Sequence, residues 1–141
     1  MLNFTISELI HSDTAIKHNI NNYPDINSLD NLLRLIVECL QPIRNKLGKP
    51  MVITSGYRND KVNRLVGGSN TSEHKKGMAA DFIIKGMTVQ AIIEFIRKSG
   101  FKYTQLIEEH SNNANWVHIS YNPNNLKCET LMYQNGKYKR I

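Results

Sequence analysis

Apolar residues recur at spacings of three and four between positions 29 and 47, and this pattern constrains the fold more than any other in the chain. Such spacing places the side chains on one face of a helix, and a second layer of structure must cover that face. We expect the N-cap at Asn27–Ser28, a kink or break at Pro42 and the helix end at Gly48–Pro50. The predicted buried face consists of Leu29, Leu32, Leu33, Ile36, Leu40, Ile43 and Leu47.

The remaining segments predict a sheet and shorter helices. Thr5 and Glu8 match a capping box, which predicts a helix over about residues 6–11. Thr88 is the expected N-cap of a helix over about residues 89–98, and residues 59–66 can form one or two helical turns. Strands are predicted at 51–54 and 82–84, both buried, and at 103–109, 115–121, 130–133 and 137–141, the last after an Asn135–Gly136 hairpin turn. Because helices come mostly first and strands mostly last, we predict an α+β fold with a small antiparallel sheet and flanking helices.

Length and composition limit the class of protein. The 141 residues contain no linker or repeat, so we predict one domain over residues 1–141 and expect a monomer. No apolar run approaches the ~18 residues that a membrane span needs. The N-terminus lacks the features of a secretory signal, which predicts a protein that stays in the cytoplasm or leaves the cell by another route.

Charge and cysteine content exclude further classes. The net charge of +6 suits an anionic partner, but the basic residues are scattered. We therefore expect no nucleic-acid binding, since the chain has neither an aromatic-rich strand motif nor a clustered basic helix. Cys39 and Cys128 lie far apart and form no CxxC pair, so neither a cysteine zinc site nor a disulfide framework is expected. Cys39 is predicted to be a buried free thiol.

Two histidines and an aspartate stand in contexts that predict a site. His74 and Asp81 are seven residues apart, separated by small residues that let the chain turn tightly, and Asp81 begins an apolar run. His118 alternates with Trp116 and Ser120, which places these three on one strand face. Two imidazoles and one carboxylate form a catalytic zinc set with a position open for water. Taken singly, each of the three also has an ordinary structural interpretation.

Further residues in the same order strengthen this interpretation and indicate a family. The motifs are Ser55-Gly56-Tyr57-Arg58, Asn63, Val66-Gly67-Gly68, Ser72-x-His74-x-x-Gly77-x-Ala79-x-Asp81, Gln105-Leu106-Ile107-x-Glu109 and Trp116-x-His118. With them, the chain resembles peptidase family M15, the zinc D-Ala-D-Ala carboxypeptidases and peptidoglycan endopeptidases, particularly its small phage and bacterial members. The motifs cover residues 51–121, about half of the chain.

The resemblance implies a hedgehog/DD-peptidase-like fold and a set of site residues. It implies zinc held by His74, Asp81 and His118, with a metal-activated water cutting peptidoglycan stem peptides. Because family members without a signal peptide are often phage proteins, it also implies a phage or prophage product released to the cell wall as the alternative to a cytoplasmic protein. It also implies that Arg58 grips the substrate carboxylate, with Ser72 and Gln105 as further substrate-binding residues. A guanidinium suits that role because its planar fork matches a carboxylate in two hydrogen bonds.

The catalytic base and the bond cleaved remain open from sequence. In some family members the base is a glutamate three residues before the last histidine ligand, where this chain has Asn115. Glu109 matches the Gln-Leu-Ile-x-Glu form and is the expected base, and Glu108, on the opposite strand face, is the fallback. Carboxypeptidase and endopeptidase (endolysin-type) action are both compatible with these residues. The alternative function is a non-catalytic zinc-binding module of the same fold that recognises the cell wall or a protein partner.

Overall fold

A computed structural model describes all 141 residues and contains six α-helices and six strands in one α+β arrangement, as predicted. The helices are α1 (Ile6–Ile10), α2 (Asp13–Lys17), α3 (Ile26–Arg34), α4 (Gln41–Leu47), α5 (Asp60–Leu65) and α6 (Val89–Lys98). The strands are β1 (Val52–Ser55), β2 (Ala79–Ile83), β3 (Gln105–Ser111), β4 (Ala114–Ser120), β5 (Glu129–Gln134) and β6 (Lys137–Arg140). None of the helices is long and apolar enough to cross a bilayer.

The six strands form a single sheet in the order β1-β2-β4-β3-β5-β6. Neighbouring strands are antiparallel except β3 and β5, which are parallel. The parallel pair arises because residues 121–128 carry the chain from the end of β4 past β3 before β5 begins. Asn112 and Asn113 form the β3–β4 turn and Asn135–Gly136 the β5–β6 turn, all with positive φ, as tight hairpins require.

The long amphipathic segment is one helical rod whose hydrogen-bonding pattern changes along its length. A π-helical segment, Leu35–Leu40, joins α3 to α4, and Pro42 stands in the first turn of α4. The irregularity predicted at Pro42 therefore takes the form of this π-helical segment, because a proline has no N–H to donate to the preceding turn. The N-cap prediction was wrong: Asp25 caps α3 by accepting a 2.8 Å bond from the Ser28 amide.

Details of burial also differ from the sequence prediction. Leu33 was expected to face the core but is 43% exposed, and Leu35 is buried instead. Residues 51–54 were expected to form a buried strand, but β1 lies at the sheet edge and Val52 is exposed. Helix α2 was not predicted; Ser12 caps it by accepting from the Ala15 amide. Helix α6 has the predicted bounds and the predicted Thr88 cap.

The core lies between one face of the sheet and the helices. Phe82, Leu106, Val117 and Ile119 project from the central strands into this core. The helices contribute Leu32, Leu35, Ile36, Cys39, Leu40, Ile43, Ile92, Ile93 and Ile96. Because side chains alternate along a strand, the residues between these core positions project from the opposite face of the sheet.

Candidate functional site

His74, Asp81 and His118 converge on the face of the sheet that points away from the core, and we call these three residues the triad. His74 Nε2 lies 3.2 Å and His118 Nδ1 2.9 Å from the same oxygen of Asp81, Oδ1. All three side chains are buried, and one ligand atom from each falls within 4.8 Å of the others. The structure thus brings together residues that are far apart in the chain, since 44 positions separate His74 from His118.

Local structure holds His74 in place. It lies in a 3₁₀ turn, Glu73–Lys76, in which Ser72 Oγ accepts a hydrogen bond from the His74 amide. Gly77 ends the turn with φ of +73°, where a Cβ would also collide with the carbonyl oxygen of Ser28. His74 Nδ1 donates to the Gly56 carbonyl over 2.7 Å, and this leaves the Nε2 lone pair directed at Asp81 and His118.

The sheet positions the other two members of the triad. Asp81 on β2 and His118 on β4 are direct cross-strand partners, so their side chains leave the same face side by side. Their chain neighbours Phe82 and Val117 point into the core and are fully buried. Apolar packing on one face therefore anchors the polar pair on the other.

Burial and mutual contact set the charge states of the triad. Burial by itself would raise the pKa of Asp81, but the two adjacent imidazoles hold the pKa of that carboxyl well below its usual range. Burial lowers the pKa of His74, against the attraction of Asp81. A carboxylate beside a neutral imidazole is the protonation state that metal ligands require.

This donor set fits a divalent metal ion. Two imidazole nitrogens and a carboxylate oxygen are a set of three protein ligands found in catalytic metal sites, and the group opens to solvent on one side. The hydrogen bond from His74 to Gly56 is of the kind that orients a metal-bound histidine through its other nitrogen. The triad can therefore hold a metal.

The triad lies at the base of a depression of about 750 Å³, which we call the cleft. All the residues predicted for substrate binding and catalysis line it: Arg58, Ser72, Gln105 and Glu109. Sequence reasoning missed Ser69, Thr71 and Glu73 near His74, and it missed four residues of the C-terminal hairpin, namely Leu131, Tyr133, Gly136 and Tyr138. The Asn135–Gly136 turn could have indicated the hairpin residues, since it pairs Tyr133 with Tyr138 across a hairpin.

Arg58 is held at the rim of the cleft. Its Nη2 lies 3.9 Å from Asp81 Oδ2, its Nε donates to Ser55 Oγ and its Nη1 donates to Asn63 Oδ1 over 3.1 Å. A Cβ on Gly68 would collide with Asn63 Oδ1 and lie 2.8 Å from Arg58 Nη1. Burial lowers the pKa of Arg58, yet a guanidinium stays charged in proteins. Arg58 is thus a fixed cation beside the triad.

The two consecutive glutamates of β3 lie on opposite sides of the sheet. Glu109 lines the cleft, where burial raises its pKa against the attraction of His118. Glu108 is 3% exposed and points toward α6, where its Oε2 accepts from Gln90 Nε2 at 3.2 Å and lies 2.6 Å from His110 Nε2. Glu108, the fallback base, therefore lies away from the triad. Asn115 also lies outside the cleft.

Gln105 has a partner from the C-terminal hairpin. Its Nε2 donates to Glu129 Oε1 over 2.7 Å, and Glu129 also lies 3.4 Å from Arg140 Nη2. The amide of Gln105 therefore has a fixed orientation. Gln105 is on β3, which β2 and β4 separate from β1 and from Arg58 after it.

Comparison with known proteins agrees with this geometry. A family model described as Peptidase M15 matches residues 2–120. A search of curated proteins finds no significant match. The family match includes every member of the triad and well over half of the chain, and the α+β fold is compatible with it. The protein therefore belongs to the peptidase M15 family.

Proposed function

We propose that this protein is a zinc peptidase that hydrolyses the stem peptides of peptidoglycan. The observation that carries the proposal is the convergence of His74, Asp81 and His118 at the base of a cleft that Arg58 and Glu109 also line. Family membership supports a peptide substrate. The net charge of +6 suits a cell wall that is rich in carboxylates.

His74, Asp81 and His118 would hold the zinc ion. Zinc in such a site supplies a Lewis acid, which lowers the pKa of a coordinated water and polarises a carbonyl. The chain keeps the ligands in their binding forms, because Gly56 fixes the tautomer of His74 and the imidazoles keep Asp81 ionised. The open side of the triad faces the cleft, where a peptide can enter.

Three other residues bind and orient the peptide. Arg58 holds a substrate carboxylate with its guanidinium, which Ser55 and Asn63 keep in one orientation. Gln105 offers an amide that Glu129 orients. Ser72 lines the cleft with a hydroxyl that already accepts from the His74 amide, so its remaining hydrogen-bonding capacity can face the substrate.

Glu109 is the proposed general base and acid. Its carboxylate takes the proton of the attacking water and passes that proton to the nitrogen of the leaving amine. A pKa raised by burial suits this role, because a carboxyl with a higher pKa is a better acceptor and donates at a pH closer to neutral. Glu108 does not fill this role, since its carboxylate is directed at Gln90 and His110.

Digestion of purified peptidoglycan with and without a chelator, followed by mass spectrometry, tests the proposal. Zinc-dependent release of D-Ala supports carboxypeptidase action, and zinc-dependent release of larger muropeptides supports endopeptidase action. The Glu108→Gln variant is the matched control, because it changes the neighbouring glutamate outside the cleft. If the protein binds zinc but releases nothing from any wall type, the non-catalytic zinc-binding module is the correct function.

A further inference from the structure

The C-terminal hairpin, β5 and β6, lies outside the region that the family model matches but forms part of the cleft wall. The match ends at residue 120, whereas the hairpin begins at Glu129. Leu131, Tyr133 and Tyr138 of the hairpin line the cleft together with the triad. The properties of this wall therefore belong to this chain and do not follow from the family match.

Strand register shows how the hairpin relates to the catalytic residues. Trp116 on β4, Glu109 on β3, Tyr133 on β5 and Tyr138 on β6 are successive cross-strand partners. Directly opposed residues share a face, so these four side chains form one row across the sheet. His118, two residues from Trp116, begins a parallel row that continues through Ile107 to Leu131.

The rows give the cleft a direction and a length. Arg58 follows β1, at one edge of the sheet, and the hairpin forms the other edge, so the triad lies between them. Tyr138 is three strand spacings from β4, which is about 14 Å. An extended peptide advances about 3.3–3.6 Å per residue, so this distance corresponds to about four residues.

The hairpin presents aromatic surface to this path. The rings of Tyr133 and Tyr138 pack with centroids 4.7 Å apart, and Tyr138 remains 61% exposed. The tight Asn135–Gly136 turn restricts the hairpin. Paired tyrosines offer a large contact area at low cost in side-chain entropy, because each has few rotatable bonds. Glu129 of the same hairpin also orients Gln105.

We propose that the Tyr133–Tyr138 pair binds the acyl-side portion of the peptide, so that recognition extends about four residues beyond the scissile bond. This inference rests on the proposed function, in which Arg58 holds the carboxylate on the other side. The acyl-side residues then cross β3 and β5 and reach β6. The hairpin is a specificity-determining element that favours longer stem peptides over dipeptides.

Binding measurements test this without relying on turnover. The zinc-loaded Glu109→Gln variant is titrated with synthetic stem peptides that end in D-Ala-D-Ala and are extended at the amino end from two to six residues. Trp116, the only tryptophan in the chain, lies on the same row and reports binding by fluorescence. We expect Kd to fall at least tenfold over the series and to level off once about four acyl-side residues are present.

Substitutions on the Glu109→Gln background locate the effect. Tyr138→Ala should reduce the gain in affinity that comes from lengthening the peptide at least threefold. Tyr138→Phe keeps the ring and should retain most of that gain in affinity. Tyr23→Ala is the matched control, because Tyr23 is 62% exposed but lies outside the cleft. It should leave the series unchanged, and circular dichroism verifies that each variant is folded.

The outcomes separate this inference from the proposed function. Affinity that does not change with peptide length, or a Tyr138→Ala loss that is equal for all lengths, overturns the inference. If the unsubstituted protein cleaves the peptides but binding is independent of length, only the inference fails. If binding depends on length and on Tyr138 but no peptide is cleaved, the proposed function fails and the binding surface stands.

Discussion

The two faces of the central strands β2, β4 and β3 differ in what they contribute to the protein. One face carries Asp81, His118 and Glu109, which line the cleft, and a hydrogen bond joins His118 to Asp81. The other carries apolar side chains such as Phe82 and Val117, which are fully buried against the helices. The period-two alternation of a strand thus separates chemistry from stability along one backbone, and substitutions on the two faces should have separable effects.

Glu108 and Glu109 allow the most direct comparison of the two faces, since they are adjacent and chemically identical. Glu109→Gln removes the proposed proton carrier and should lower kcat by about 100-fold to 10,000-fold. Its stability should change little, because burial raises the pKa of Glu109 and so disfavours the carboxylate in the fold. Hydrolysis assays and urea unfolding provide the two measurements.

Glu108→Gln is the control for that prediction and should show the opposite pattern. Its charge-assisted bonds to Gln90 and His110 are lost or weakened, which should lower the free energy of unfolding by about 1–3 kcal/mol. Activity per folded molecule should remain. If Glu108→Gln abolished hydrolysis and Glu109→Gln did not, the assignment of the base to the cleft face would be wrong.

Adjacent residues of β2 provide a second test of the two faces. Phe82→Ala should lower the free energy of unfolding by about 3–5 kcal/mol, because it leaves a cavity in the core. Ile83→Ala, at a position that is 40% exposed, should cost less than about 1 kcal/mol. Urea denaturation measures both. Comparable losses for the two variants would contradict the idea that only one face of β2 supports the fold.

On the cleft side, a substitution at Gly68 should weaken substrate binding by disturbing Arg58. An alanine Cβ at Gly68 would displace Asn63 Oδ1, which accepts from Arg58 Nη1. Gly68→Ala should therefore raise KM about tenfold, equivalent to ~1.4 kcal/mol of binding, with a smaller change in kcat. Gly67→Ala is the control: its Cβ meets nothing within 4 Å, so it should affect stability through its positive φ and leave KM near the original value.

The smallest predicted effect is the pH dependence of stability that arises from Cys39, a buried residue of the core. Burial raises the pKa of Cys39 from its ordinary value of 9.0 to about 12, so the folded protein keeps the thiol proton where the unfolded chain loses it. The contribution of Cys39 to stability should therefore be constant below pH 8 and fall as pH rises, by about 0.8 kcal/mol between pH 8 and 9.5.

Cys39→Ala tests this by comparison of unfolding curves with the original protein at each pH. The variant carries a constant packing loss, so the stability gap between the two proteins should narrow as pH increases. A gap that stays constant up to pH 9.5 would show that the Cys39 thiol is not protected by burial.

Most patterns that depend on near neighbours were predicted correctly, although the cap of α3 and helix α2 were not. The Thr5–Glu8 capping box and the Thr88-capped helix α6 are present, and alternation placed Glu109 and Glu108 on opposite faces. The candidate metal ligands were predicted from their motifs, and the structure places them within reach of one ion. Such features can be predicted because capping, helical spacing and strand alternation are properties of a few consecutive residues.

Features that depend on distant contacts were predicted less well. The exposure of Leu33 follows from which side of the helical rod meets the sheet, and the edge position of β1 follows from strand order. The parallel pairing of β3 with β5 was not predicted either, and it is this pairing that brings Tyr133 beside Glu109.

The sequence by itself determined the fold class, most of the local elements and a candidate set of residues suited to a metal-dependent peptidase, because each of these depends on residue type and short-range spacing. The tertiary structure decided which strands are neighbours, and hence that His74, Asp81 and His118 share one point and that the C-terminal hairpin closes one side of the cleft. Strand order is the sum of many weak contacts between residues far apart in the chain, so no single segment encodes it.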